Sequence, residues 1–498
     1  LPNISDLGLS GSGLTGSRAP ILCPPALLVQ RSFPSEVACY QSLAHRPSAE
    51  FPDLTRGMSV ARWRQQKGFA MIGNGSCRWI GFLFGGNAMN EGSKQFLYEM
   101  LRTPSPTGWE QPLQRKIDAE FRDIADAIEP DVHGNLILCL NPDAKRKVML
   151  AGHCDHIGFL VKYISTDGYI YLDKLGGADS GVVLGEHLII HTKTGPVVGV
   201  VGRKPVHLQQ GPEVQQIPVS SKIWLDIGAS DEHQARQRVT LGDYVTFRLE
   251  VTELQNDLIS APGLDNKAGL FVCLETLRQC AKAGCDVGLY VVSTVQEEIG
   301  SRGAATATSK LSPDVGIAVD VIPATDDPGY DLPAQSYVPC KLGAGPTIST
   351  GPNTNPIVGD MLARAAEQQH LHWQADPSGK TAANDARVIQ VSDSGVATAS
   401  VGVPQRNMHT QAEIVSLSDI DACVKILVDF VRSVKLDTDF RPLYFHQVED
   451  AHARGNGDRL TKKTICHAMS RLPGQAPKAA KKGRPEGKQR GRKSRRGS

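Results

Sequence analysis

The chain changes structural grammar twice, and this limits its fold more than any other feature. GNLILCL (134–140) and KVMLAGHCDHIGFLVKYI (147–164) read as apolar strands. Residues 165–257 then hold only short alternating runs, IYLDKLGG, HLIIHTK, PVVGVVG, SKIWLDIG and DYVTFRLEV, broken by Gly, Asp and Pro. After Ala261 helices and strands alternate again. LDNKAGLFVCLETLRQCAKAG reads as a helix closed by Gly, and DVGLYVVSTVQEE as a buried strand. VGIAVDV and VATASVGV are further strands, IVGDMLARAAEQQHL a further helix, and LSDIDACVKILVDFVRSV a final amphipathic helix. One α/β domain, residues 89–160 and 258–437, interrupted by a β-rich insert at 161–257, accounts for the whole pattern.

The ends differ from this body. Residues 1–88 are rich in Gly, Ser and Pro without sustained periodicity, and read as a disordered or spurious extension. At Met89 the character changes: MNEGSKQFLYEMLRTPSPTGWEQPLQRKIDAEFRDIADAI has helical spacing on both sides of a TPSPTG break. Residues 438–498 read as a disordered, basic tail. From Lys478 onward ten Lys/Arg face one acid, so a chain of net charge +2 is a mildly acidic body with a basic tag. Without interleaved aromatic residues such a tag gives weak, sequence-independent phosphate contacts, so nucleic acid is not an expected partner. Eleven cysteines without CxxC spacing point to a reducing, cytoplasmic compartment. No apolar run approaches the ~18 residues of a membrane span, so no membrane partner is expected.

The chemistry lies where apolar segments stop. VMLAGHCDHIG carries His153 and Asp155, which share a face if the strand continues. APGLDNKAG places Asp265 at a helix start. GLYVVSTVQEEIG ends in Glu297-Glu298, GIAVDV in Asp320, and RNMHTQAE places His409 after a strand. Each has a plain reading: Asp265 as a helix N-cap, His153 as a satisfied core histidine, the glutamate pair as a solvated turn. Asp320 resists one, because an unpaired charge inside an apolar run is expensive. Two histidines and three carboxylates suit Zn²⁺, Co²⁺ or Mn²⁺. Gathered at strand ends they can hold two ions about 3.5–4 Å apart, bridged by one carboxylate, and leave one acid of the glutamate pair as a base.

AGHCDHIGFLV, APGLDNKAGL, STVQEEIGSRGA, AVDV, GPTISTGPNTNP and RNMHTQAEIVSLSDI occur together and in order. In this the chain resembles the tetrahedral (TET) aminopeptidases, co-catalytic metallopeptidases sometimes labelled endoglucanases, from about Met89 to Pro442. The resemblance implies an α/β/α catalytic domain with a mixed sheet of the zinc-exopeptidase type and a barrel-like dimerisation insert. It implies that Asp265 bridges two divalent ions, His153 and Asp320 completing one site, Glu298 and His409 the other. Glu297 becomes the general base and Asp155 the residue that orients His153. The implied substrates are short peptides and the implied assembly a homo-dodecamer of dimers. Substrate-binding residues are not assigned. SGKTAANDARVIQ (378–390) matches the family's Thr-Asp-Ala segment only loosely, and His156 stands where an acid is common. The alternative, an endo-1,4-β-glucanase, uses paired carboxylates but has no need of the histidines or of Asp265. Two further readings are weaker: a nucleic-acid-binding protein rests only on the tail, and an inactive scaffold disregards a complete ligand set.

Overall fold

In a computed structural model of the chain, residues 89–211, 223–330 and 338–444 are described. The expected extension 1–88 and residues 445–498 of the expected tail lie outside them. The chain enters through α1 (Glu91–Arg102) and α2 (Gln111–Phe121), then β1 (Ala127–Pro130), β2 (Leu136–Leu140) and β3 (Lys147–His153). Asn90 caps α1 by accepting from the Ser93 amide at 2.9 Å, and a proline sits in the first turn of α2. The helical spacing expected through residue 128 stops earlier, at Phe121. Ala127–Pro130 pairs with β2 instead, in a register that opposes Ala127 to Cys139. Here cross-strand pairing overrides local periodicity.

The insert holds β4 (Gly158–Ile164), β5 (Ile170–Leu175), β6 (His187–Thr192), β7 (Gly195–Gly202), β8 (Trp224–Asp226) and, after the short helix α3 (Glu232–Arg236), β9 (Tyr244–Phe247). These six strands close into a barrel in the order β4-β5-β8-β7-β6-β9. The expected break after residue 160 falls inside β4. The helix was not foreseen in an all-β reading; Asp231 starts it by accepting from the Gln234 amide at 2.8 Å. Alternation builds the barrel core: along β7, Val197, Gly199 and Val201 are buried while Val198 and Val200 face outward.

The chain then resumes with β10 (Thr252–Glu253), β11 (Leu258–Ala261), α4 (Leu264–Ala283), β12 (Gly288–Thr294), α5 (Arg302–Leu311), β13 (Val315–Pro323) and β14 (Thr347–Thr350). It ends in α6 (Pro356–Gln368), β15 (Gln374–Pro377), α7 (Ala386–Ile389), β16 (Ala397–Arg406), β17 (Glu413–Ser416) and α8 (Leu417–Ser433). An eleven-stranded mixed sheet runs β1-β2-β12-β3-β13-β16-β17-β11-β10, with β14 attached to β16 and β15 to β14. Its centre, β12-β3-β13-β16, is parallel. Every residue of β12 is buried, as a parallel strand covered on both faces requires. Residues of α1, α2, α4, α6 and α8 form the large core on one face, and α5 and α7 a smaller core on the other. This is a mixed α/β fold with a three-layer α/β/α domain and a closed β-barrel insert. The body continues past the expected end at 437: Phe440 packs on the main core, and Arg146 donates to the carbonyls of Leu436 and Thr438.

Candidate active site

The central strands end together. β3 and β12 run in register, so Thr294 lies beside His153. β13 pairs Ala318 with Ala151, and two residues further on this register brings Asp320 level with His153. Asp265 arrives from the other direction, at the start of α4. That helix lies close against the sheet because two facing residues lack side chains. A Cβ on Gly152 would meet the Leu270 backbone at 2.7 Å, and one on Gly269 would meet the Val319 carbonyl at 2.5 Å.

The result is a compact cluster. His153 Nε2 lies 3.3 Å from Asp265 Oδ1 and 3.5 Å from Asp320 Oδ1. His409 Nε2 lies 3.2 Å from Asp265 Oδ2 and 3.7 Å from Glu298 Oε2. Asp265 thus turns one oxygen to each histidine. The ligand atoms of His153, Asp265 and Asp320 all fall within 4.8 Å of one another, as do those of Asp265, Glu298 and His409. Glu297 Oε2 stands 4.0 Å from His153 Nε2. All seven residues singled out in the sequence therefore meet in one place.

Two buried carboxylates fix this arrangement through the main chain. Asp155 accepts from the Glu297 amide at 3.0 Å and the Glu298 amide at 3.3 Å, and from the Thr107 hydroxyl at 2.9 Å. Its carboxylate also lies 3.6 Å from His153 Nδ1, while the Asp155 carbonyl is closer, at 3.0 Å. Glu413 accepts from the Asp265 amide at 3.1 Å and the His409 amide at 3.0 Å. Glu413 was not singled out in the sequence, although an acid in the strand AEIVS is a signal of the same kind as Asp320. Asp385 was also missed. It is buried behind the site, takes a 2.7 Å hydrogen bond from the Thr294 hydroxyl, and leaves Oδ1 without a partner. Burial pushes its carboxyl up to about 6.

Burial raises Glu297 to about 7, with Asp320 and Asp385 adding repulsion. Glu298 is also raised, by burial and by the facing Asp265. Burial lifts Asp320 against the pull of His153. Asp265 goes the other way: burial is outweighed by its bonds to His153 and His409, which hold it below the usual carboxylate range. Burial lowers His153, but Asp320, Asp155 and Asp265 together raise it well above an ordinary histidine. Among the described residues no lysine or arginine pairs with these acids.

The cluster fits divalent cations. Ligand atoms ~2.1 Å from an ion in a tetrahedron sit ~3.4 Å from one another, close to the spacings found here. Glu298 Oε1 is buried without a hydrogen-bond partner, a polar atom that an ion would satisfy. The cluster opens into a cavity of about 810 Å³, lined further by Ser349, Asp376, Lys380, Asn384 and Arg387. That volume is in the range of small-molecule sites.

Solved structures similar to this chain include aminopeptidases. One, the TET aminopeptidase of the archaeon Thaumarchaeota archaeon SCGC AB-539-E09, is 26% identical, with a TM-score of 0.65 over 70% of this chain and 97% of that one. The dodecameric PhTET1-12s structure is 25% identical, with a TM-score of 0.60 over 70% of this chain and 100% of that one. Residues 134–426 match the family described as M42 glutamyl aminopeptidase. The lysyl aminopeptidase of Pyrococcus furiosus is 32% identical over 353 residues, 70% of this chain and 99% of that protein. The chain belongs to the M42 family, whose members are metal-dependent peptidases. It is a hydrolase of peptides, and the glucanase alternative is set aside.

Proposed function

We propose that this protein is a dinuclear metallo-aminopeptidase that removes N-terminal residues from short peptides. The observation that carries the reading is Asp265, whose two oxygens face His153 and His409 separately, at 3.3 and 3.2 Å. His153, Asp265 and Asp320 would hold one ion; Asp265, Glu298 and His409 the other. Ions so held supply Lewis acidity to the scissile carbonyl and make water a stronger acid. Zn²⁺, Co²⁺ and Mn²⁺ suit these ligands equally.

Glu297 is the general base. It lies at the cavity wall, free of the two ligand sets, with Ser301 donating to its Oε1 at 2.9 Å. It takes a proton from the attacking water as the carbon–oxygen bond forms. It returns that proton to the leaving amine as the carbon–nitrogen bond breaks. Asp155 holds the turn that lets adjacent glutamates serve different tasks.

The names of relatives divide between lysyl and glutamyl, so the preferred first residue is left to assay. A homo-dodecamer built from dimers is part of the proposal, supported by the likeness to PhTET1-12s, itself a dodecamer. So is a cytoplasmic location, supported by seven unpaired cysteines among the described residues. No described helix is long and apolar enough to cross a membrane.

The test strips metal from the full chain and restores Zn²⁺, Co²⁺ or Mn²⁺ separately. Free and N-acetylated peptides are then assayed beside a soluble β-glucan. Metal-dependent release of free N-terminal residues, with the acetylated peptides and the glucan untouched, is the expected result. Peptide hydrolysis that survives complete metal removal would sink the proposal.

A further inference from the structure

The inserted barrel reaches into the metal cluster. β5 ends at Leu175, and the next two residues, Gly176 and Gly177, lie against the ligands of the second proposed ion. A Cβ on Gly177 would stand 2.5 Å from His409 Nδ1 and 2.9 Å from its Cε1. A Cβ on Gly176 would stand 2.7 Å from Glu298 Oε2. His409 thus turns Nε2 toward Asp265 and Glu298 and its Nδ1 edge toward the bare Cα of Gly177. His153 and Asp320 are carried instead by β3 and β13.

We infer that the side-chain-free Gly177 of the barrel loop is the positioning residue for His409: its bare Cα is the seat against which the imidazole packs, so the second ion depends on the barrel loop. The inference rests on the two-ion reading given above. Groups that orient a ligating histidine affect metal affinity by about 10–100-fold when they are changed. Here the supporting group comes from a domain inserted into the chain 232 residues before its target. The bare glycine is essential to the contact, because any side chain would fill the space occupied by the imidazole. The backbone of Gly177 is not in the left-handed region, so Gly177→Ala acts through that collision rather than through backbone strain.

The test counts metal per subunit in the full-length protein after loading with Zn²⁺ and exhaustive dialysis. Wild type is expected to retain two ions. Gly177→Ala and His409→Ala are each expected to retain one, with the affinity of the lost ion reduced at least about tenfold. The double variant should lose nothing more. The retained ion reports that Gly177→Ala has folded. If wild type and Gly177→Ala both keep two ions at equal affinity, the inference fails and the two-ion reading stands. If wild type itself binds none, both fail. A measurement on the wild type alone covers a variant that does not fold. A crystal structure of the zinc-loaded wild type should show the His409 ring packed on the Gly177 Cα with Nε2 turned to the ion. A ring held away from Gly177 with the ion still bound would overturn the inference.

Discussion

At the scale of single residues, the proposal assigns different tasks to two glutamates that are neighbours in sequence. Asp155 accepts both of their amides, which bends the backbone so that both side chains reach the cluster. Glu297 then stands 4.0 Å from His153, while Glu298 lies beside His409 and Asp265. Replacing each by glutamine separates the roles. Glu297→Gln should keep its metal and lose about 10²–10⁴-fold in kcat, the usual contribution of a general base. Glu298→Gln should lose one ion as well as activity. Elemental analysis beside steady-state kinetics checks both, and equal metal content in the two variants would contradict the division.

At the scale of elements, the site depends on how closely α4 lies on the sheet. Gly269 faces Val319 and Gly152 faces Leu270, so helix and strands meet with no side chain between them. Asp265 sits at the end of the helix that this contact places. In Gly269→Ala the new Cβ meets the backbone of β13, which cannot swing aside as a side chain can. The helix must lift, at a cost of about 1–3 kcal/mol. Thermal unfolding should show that loss, and metal affinity should fall with it although no ligand has changed. Unaltered affinity would mean that Asp265 is placed by its own turn and by Glu413 rather than by helix packing.

At the scale of the whole molecule, the cluster makes stability depend on metal and pH together. Without ions, Glu297 is raised to about 7 and Asp385 to about 6, with Glu298 and Asp320 raised too. A carboxyl whose pKa is higher folded than unfolded holds its proton better when folded. Its contribution is present below the unfolded value and is lost as pH rises through the folded one. The raised His153 and His409 act with the same sign. Asp265 has the opposite sign, but its contribution is already complete above about pH 4. His156, His191 and Lys267, lowered by burial, also oppose the trend, but the raised groups are more numerous, so the metal-free protein should melt at a lower temperature at pH 8 than at pH 5. Zn²⁺ should restore more stability at pH 8, where the carboxylates are ionised to receive it. Calorimetry with and without chelator tests this, and a metal-free protein more stable at pH 8 would refute it.

The sequence by itself determined the kinds of element and most of the chemistry. Burial writes a period of two or 3.6 into each segment, so β2, β3, β12, β13, α4 and α8 were legible one at a time. The return to α/β grammar after Ala261 marked the insert, and charges that end apolar runs marked His153, Glu297, Glu298 and Asp320. Local pattern carries no information about which strands are neighbours. It gave no sign that β12 lies between β2 and β3, that Ala127–Pro130 would leave its helix for a sheet edge, or that β4 belongs wholly to the barrel. Those follow from pairing between distant segments. The same is true of the groups that hold the site in place. Asp155 holds the amides of Glu297 and Glu298 and Glu413 that of Asp265, all far away in the chain, and Gly177 acts on an imidazole through the absence of a side chain. Only the tertiary structure brings those partners within reach.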